Sequence, residues 1–179
     1  MPRTLISNDP ARIRAFREEL GEVVFKPVMG GAMTALLNDE ALSRIESVAA
    51  SPVIFQERII GEDLRVMLVG DELVSAVAIE TGHACLDFRD DPVYSGGQAR
   101  YREVELPPEI ADHCRAAARA CGLAFAGIDL KRDGPRHLFL ELNSSPIYLD
   151  VEAKLGHRIS RTIAEHIVAR VRALPGRAS

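Results

Sequence analysis

Asp129, Glu141 and Asn143 are the residues whose types and spacing could do chemistry. Around them, Ala126-Gly-Ile-Asp-Leu-Lys131, an Asp133-Gly134 turn and His137-Leu-Phe-Leu-Glu-Leu-Asn143 read as a β-hairpin. Side chains alternate along a strand, so Glu141 and Asn143 share a face, while Leu138, Leu140 and Leu142 are expected in an apolar layer. If the loop pairs odd-numbered residues with odd, Asp129 joins the polar face, diagonal to Glu141. Two carboxylates and an amide carbonyl, with no His or Cys beside them, suit a hard cation. Mg2+ commonly takes one or two carboxylates together with water and substrate phosphates. The competing reading is a hairpin with one solvated face, on which acids and amides are ordinary, and spacing alone does not separate the two.

Several other elements must position that hairpin. Asn8-Asp9-Pro10 caps a helix carrying Ile13, Phe16 and Leu20 and ending at Gly21. Glu22-Val-Val-Phe-Lys-Pro27 reads as a strand that delivers Lys26 to a glycine-rich loop, Met29-Gly-Gly-Ala-Met-Thr34. Asn38 is placed to cap a second helix with Leu42, Ile45 and Val48, and after Ser51-Pro52 comes a strand, Val53-Ile-Phe-Gln-Glu57. Ile54 and Phe55 are expected in the core. Residues 63–79 form the clearest hairpin, turning at Gly70-Asp71, with Asp63 and Arg65 on the face opposite the leucines. Residues 87–98 are polar and rich in Pro and Gly, and read as an irregular, functional loop. Pro107-Pro108 opens a helix to Cys121, and a final amphipathic helix carries Ile159, Ile163, Ile167 and Val171 before a frayed tail at 175–179.

With 179 residues the chain suffices for one domain or two small lobes. A net charge of -4 with no basic run argues against nucleic acid as partner. No apolar run is long enough to span a bilayer, and the N-terminus lacks a signal peptide's apolar stretch, so neither a membrane partner nor secretion is expected. Cys85, Cys114 and Cys121 have no metal-ligand spacing and read as small core residues in a cytoplasmic protein. The five histidines lack partner spacing, and Ser144 and Ser145 lack a nucleophile-elbow context, so none is assigned catalysis.

Taken in order, Phe25-Lys26-Pro27, Gly30-Gly31, Gln56-Glu57, Gly61-Glu-Asp-Leu-Arg65, Val69-Gly-Asp-Glu72, Gly127-Ile-Asp129 and Glu141-Leu-Asn-Ser-Ser-Pro146 resemble the ATP-grasp superfamily, and within it the RimK-like carboxylate-amine ligases. The resemblance covers nearly the whole chain. Thr4-Leu-Ile-Ser-Asn-Asp-Pro10 and Asp87-Phe-Arg89 look most like the graspetide synthetases, the ATP-grasp maturases that crosslink ribosomal peptides. The resemblance implies an α+β ATP-grasp fold, with two α/β lobes of antiparallel sheet enclosing a nucleotide cleft. The N-terminal lobe would be 1–58 and the C-terminal lobe 59–174.

It also implies roles. Lys26 would contact the nucleotide phosphates and the Gly30-Gly31 loop would fold over them. Gln56, Glu57, Arg58 and Ile59 would form the hinge whose main chain reads adenine, with Glu57 or Asp63 on the ribose. Arg65 and Arg89 would lie near the transferred phosphoryl group and the acyl phosphate. Asp129, Glu141 and Asn143 would hold Mg2+, with Mn2+ able to replace it. The implied reaction is ATP-dependent joining of a peptide or amino-acid carboxylate to an amine or hydroxyl through an acyl phosphate. RimK-like ligases carry an N-terminal domain and a further phosphate-binding lysine ahead of the segment matching 2–4, which this chain starts too late to contain. A separate subunit supplying that domain, as in a split ligase, and a degenerate module that binds nucleotide or peptide without turnover therefore stand as alternatives. A kinase-like phosphotransferase fits the motif order less well. Homo-oligomer and monomer are both left open.

Overall fold

The computed structural model describes residues 1–29, 33–81 and 86–174. The Gly30-Gly31 loop, His83, Cys85 and the expected tail at 175–179 lie outside the described residues. The chain divides into two units, Met1–Gly61 with Thr81–Ala99, and Glu62–Glu80 with Arg100–Ser179. The sequence reading set the division at 58/59 and kept 81–99 with the C-terminal half. Those residues instead group with the first unit, where the Asp87 carboxylate accepts the Thr34 N–H at 3.4 Å.

The first unit is built on an antiparallel sheet in the order β1 (Thr4–Ser7), β4 (Val53–Glu57), β2 (Val23–Pro27) and β3 (Ala35–Leu36). Helix α1 (Pro10–Leu20) starts where expected, because the Asp9 carboxylate accepts the N–H groups of Ala11 and Arg12. It stops at Gly21, whose φ of 78° with ψ -77° is a positive-φ conformation open to glycine and costly for residues with a Cβ. Asn38 caps α2 (Asp39–Ser43), but that helix is short and gives way to a 3-10 segment, Ile45–Ala50. There the hydroxyls of Ser43 and Ser47 donate to the carbonyls of Glu40 and Arg44, local bonds that compete with a continuous helix. Ile13, Val23, Leu37, Ile45 and Phe55 fill the core, as expected for Phe55.

The second unit has a five-stranded antiparallel sheet in the order β7 (Arg100–Glu103), β6 (Glu72–Glu80), β5 (Glu62–Val69), β8 (Phe125–Asp133) and β9 (Arg136–Asn143). Leu64, Val66 and Leu68 of β5 and Ala126, Ile128 and Leu130 of β8 face α3 (Pro108–Ala120), which contributes Ala111, Cys114 and Ala118. Burial pushes the Cys114 thiol up to about 11, against the opposing charge of Arg115, consistent with a core residue. Cys121 departs from expectation: it is exposed, because it lies past the last turn of α3.

The opposite face of the sheet is covered in part by α4 (Leu149–Leu155) and α5 (Ile159–Ala173), over Met67, Val77 and Phe125. The sequence reading anticipated α5 alone. Gly156, at φ 73°, ends α4 and separates the two. Of the α5 stripe, Ile159 is buried and Ile163 packs on the core, whereas Ile167 and Val171 are exposed. Among the described residues no helix is long and apolar enough to cross a membrane.

Candidate functional site

The hairpin β8–β9 reaches the arrangement expected of it by an unexpected route. At the turn Asp133 pairs with Arg136 and Lys131 with Leu138, so odd faces even. Carried through, that register would put Glu141 opposite Ile128 and on the wrong face. A bulge between Leu130↔Phe139 and Asp129↔Glu141 leaves Leu140 without a counterpart, and beyond it odd pairs with odd: Asp129↔Glu141, Ile128↔Leu142, Gly127↔Asn143. Asp129 and Glu141 are therefore directly opposite rather than diagonal. The leucine assignment is corrected for the same reason. Phe139 and Leu142 pack against the α3 core, Leu140 is the bulged residue, and Leu138 shares the other face with Lys131.

On its second edge β8 pairs with β5, setting Asp63 opposite Lys131 and Arg65 opposite Asp129. Arg65, Asp129 and Glu141 thus form one row across three strands. Arg65 donates from Nε and Nη2 to the two carboxylate oxygens of Asp129 at 2.9 and 3.0 Å, and each side chain is only 13% exposed. Lys131 Nζ lies 2.8 Å from Asp63 Oδ2, again with both side chains largely buried. Such pairs hold because each charge has its partner; removing one partner of a buried pair costs about 3–5 kcal/mol.

Next along the hairpin, the Asn143 amide oxygen accepts the Ser145 N–H at 2.8 Å, turning the chain after β9. That turn brings Pro146 onto Gly127: a Cβ at position 127 would lie 2.5 Å from the Pro146 Cβ. Glycine is required there by close approach rather than by φ.

These residues fit a hard cation of a particular kind. The donors are the carboxylate oxygens of Asp129 and Glu141 and the amide oxygen of Asn143, the ligand type that hard cations take. Among the described residues no group of three or more His, Cys, Asp or Glu is placed to cage a metal. Two carboxylates and an amide oxygen on one hairpin are a donor set of the kind Mg2+ takes together with water and substrate phosphates.

The remaining sequence-selected residues lie in the first unit, apart from Asp63, whose carboxylate is engaged by Lys131. Lys26 is half-buried on β2, opposite Ile54. Gln56 donates from Nε2 to the Thr4 hydroxyl at 3.1 Å. The Glu57 and Arg58 N–H groups donate to the carbonyls of Arg3 and Glu22, so those two donors are spent within the unit. Arg58 also pairs with the Glu22 carboxylate at 2.9 Å, and Ile59 is half-buried beyond the strand.

Arg89 forks onto Asp87, with Nε–Oδ1 2.7 Å and Nη2–Oδ2 2.5 Å. Burial works to raise the Asp87 pKa, but the hydrogen bonds and charge of Arg89, with the Thr34 N–H, outweigh it and hold the carboxyl below its ordinary value. The surrounding loop is irregular as expected, with one short 3-10 turn at Phe88–Asp90 and a segment Tyr94–Gln98 that Gly97, at φ 74°, breaks.

The sequence assigns no site role to Lys131, Asp87 or His157, each of which is engaged in the structure. Lys131 was legible, because it sits two residues from Asp129 and so on the same face. Asp87 had a weaker signal in its Asp-x-Arg spacing. His157 had none: its Nδ1 lies 2.8 Å from Ser75 Oγ and its Nε2 2.6 Å from Glu103 Oε1. That trio matches a hydrolytic triad in residue types only, because Ser75 is 3% exposed and out of a substrate's reach. It ties β6 and β7 to the α4–α5 connection.

Two antiparallel sheets, the second carrying a row of opposed charges beside an acid-and-amide hairpin, define an ATP-grasp type of fold. Residues 1–167 match the RimK-like ATP-grasp domain, and the chain belongs to that family. Among its relatives is a probable alpha-L-glutamate ligase 2 of Shewanella amazonensis, 32% identical over 93% of this chain and 58% of its own length. The ATP-grasp ligase PsnB, solved with a phosphomimetic variant of a minimal precursor, Mg and ADP, superposes with a TM-score of 0.81 at 32% identity, over 96% of this chain and 54% of its own. The macrocyclase MdnC of Microcystis aeruginosa, bound with precursor peptide MdnA, gives 0.81 at 26% identity, over 94% and 56%. The chain thus spans a little over half the length of these relatives.

Proposed function

We propose that this chain is the ATP-grasp part of a ligase that activates a peptide or amino-acid carboxylate with ATP and joins it to an amine or hydroxyl. The observation that carries this reading is the row Arg65–Asp129–Glu141, with Asn143 beside it on the same hairpin. A substrate carboxylate oxygen attacks the terminal phosphorus of ATP, and the bond from that phosphorus to the ADP oxygen breaks, giving an acyl phosphate. The amine or hydroxyl then attacks the acyl carbon, phosphate departs with the C–O electron pair, and the nucleophile gives up its proton.

No side-chain nucleophile is needed, and the work is positioning and charge stabilisation. Asp129, Glu141 and Asn143 would hold Mg2+, or Mn2+ in its place, which supplies positive charge against the phosphates. Lys26, as a point charge, and Arg65 and Arg89, as forks, neutralise charge on the transferring group. The phosphate-binding role that the family resemblance gives Gly30 and Gly31 falls on residues outside those described. Main-chain groups between Gln56 and Ile59 face the adenine edge, those of Glu57 and Arg58 through their carbonyls. Glu57, whose side chain is less deeply engaged than that of Asp63, takes the ribose hydroxyls. The precursor peptides bound by PsnB and MdnC favour a peptide as the substrate class.

Calorimetric titration with ATP, with and without Mg2+, tests the reading on the native chain and on Glu141→Gln. The expected result is binding that needs Mg2+ and falls by about tenfold or more in the variant, at an unchanged thermal midpoint. Equal Mg2+-dependent binding by both proteins would remove Glu141 from the site.

A further inference from the structure

The pair Arg65–Asp129 occupies the carboxylate that the cation would use. Both oxygens of Asp129 receive a donor from the same guanidinium, at 2.9 and 3.0 Å, in a site where each side chain is 13% exposed. Across the hairpin Glu141 stands directly opposite Asp129 in the same row. A divalent cation entering alone would meet one neutralised carboxylate and a guanidinium held against it, at a depth where water screens poorly. A nucleotide changes that balance. A phosphate group offers the guanidinium the same two-point geometry as a carboxylate, with more negative charge.

We infer that Arg65 is a built-in occupant of the metal site: without nucleotide it holds Asp129 and keeps cation affinity low, and it moves to phosphate when nucleotide binds, freeing Asp129. This rests on the metal and nucleotide reading above and adds an order to it, in which cation and nucleotide enter together. Arg65 is then a positioning residue in the resting protein and a phosphate contact in the loaded one. The Asp63–Lys131 pair lies on the same face, two residues away from Arg65 and Asp129 along β5 and β8. Lysine could not replace Arg65, because a single ammonium does not span both oxygens of Asp129 as the fork does.

The test uses Mn2+ as probe and the signal of free Mn2+ in electron paramagnetic resonance as readout, so no turnover is required. Native chain, Arg65→Gln, Arg65→Lys and Glu141→Gln are titrated with and without a non-hydrolysable ATP analogue, after thermal melts confirm folding. Native protein should bind Mn2+ weakly alone and more tightly, by about tenfold or more, with the analogue, a span common for coupled sites. Arg65→Gln should bind Mn2+ alone about tenfold more tightly than native and gain less from the analogue. Arg65→Lys should fall between, and it decides the matter if Arg65→Gln does not fold. Nucleotide-free affinity unchanged or lowered in the folded Arg65 variants, with native still binding Mn2+ beside the analogue, overturns the occupant role and leaves the proposed function standing. Native protein that binds no Mn2+ even with the analogue overturns both, and Glu141→Gln that binds like native under every condition removes Glu141 from the metal site and with it the row on which the proposed function rests.

Discussion

Asp87 shows how one buried carboxylate can tie acidity to folding. Its side chain is 5% exposed, it takes the fork of Arg89 and the Thr34 N–H, and its pKa lies below the ordinary carboxylate value of 3.8. A carboxyl depressed in the folded state contributes stability that is present above its unfolded pKa and is lost as pH falls through the folded one. The thermal midpoint should therefore drop as pH is lowered below about 4, and Asp87→Asn should flatten that part of the profile. Parallel profiles for the two proteins from neutral pH downward would contradict the pairing. Residue types also tell how far the site was legible. Asp129, Glu141 and Asn143 stand out in the sequence because acids and an amide interrupt an apolar strand, and the paired strands do place Asp129 opposite Glu141 in the structure. The partner of Asp63 was not legible, because nothing local says that a lysine 68 positions later will reach it. A charge's partner across a sheet depends on strand order, which composition does not carry.

Among the elements, the β8–β9 hairpin depends on a pair of compensating features. The register at the turn and the bulge at Leu140 each shift parity by one, so an argument that ignored both reached the right face. Leu142, after the shift, packs on the α3 core as expected, whereas Leu138, before it, is buried on the other face. The hairpin's exit rests on the seat of Pro146 against Gly127. Gly127→Ala would force its Cβ to within 2.5 Å of a rigid ring, so the strand or the Ser144–Pro146 turn must move. The expected cost is about 1–3 kcal/mol in denaturant unfolding, and adding Pro146→Gly should return part of it. A Gly127→Ala protein as stable as native would mean the turn yields freely. Helix α1 was read correctly at both ends because its stop signals are local, Asp9 and Gly21. The break between α2 and its 3-10 continuation was not, because serine hydroxyl bonds to the backbone leave no periodic trace.

At the scale of the whole molecule, the order of short motifs along the chain was enough to place it in its family, because order survives where spacing drifts. The discontinuous first unit was not visible, since nothing in residues 81–99 announces that they pack with a sheet formed some 50 residues earlier. Each unit has its own core, and no residue of the Phe55 cluster belongs to either cluster of the second sheet. Phe55→Ala should cost about 3–5 kcal/mol where it acts. Amide hydrogen exchange is expected to lose protection in β1, β2 and β4 while β5 and β8 keep theirs. Equal loss in both sheets would mean that the two cores melt as one.

The interrupted first unit has a practical corollary for dissecting the protein. The polypeptide leaves it at Gly61 for the β5–β6 hairpin, returns at Thr81 and departs again after Ala99. No single scission of the backbone separates one unit from the other. Expressing 1–61 would discard Asp87 and its grip on Thr34, and expressing 62–174 would carry along nineteen residues cut off from their sheet. A clean separation calls for splicing, with Gly61 joined by a linker to Thr81 for the first unit and Glu80 to Arg100 for the second.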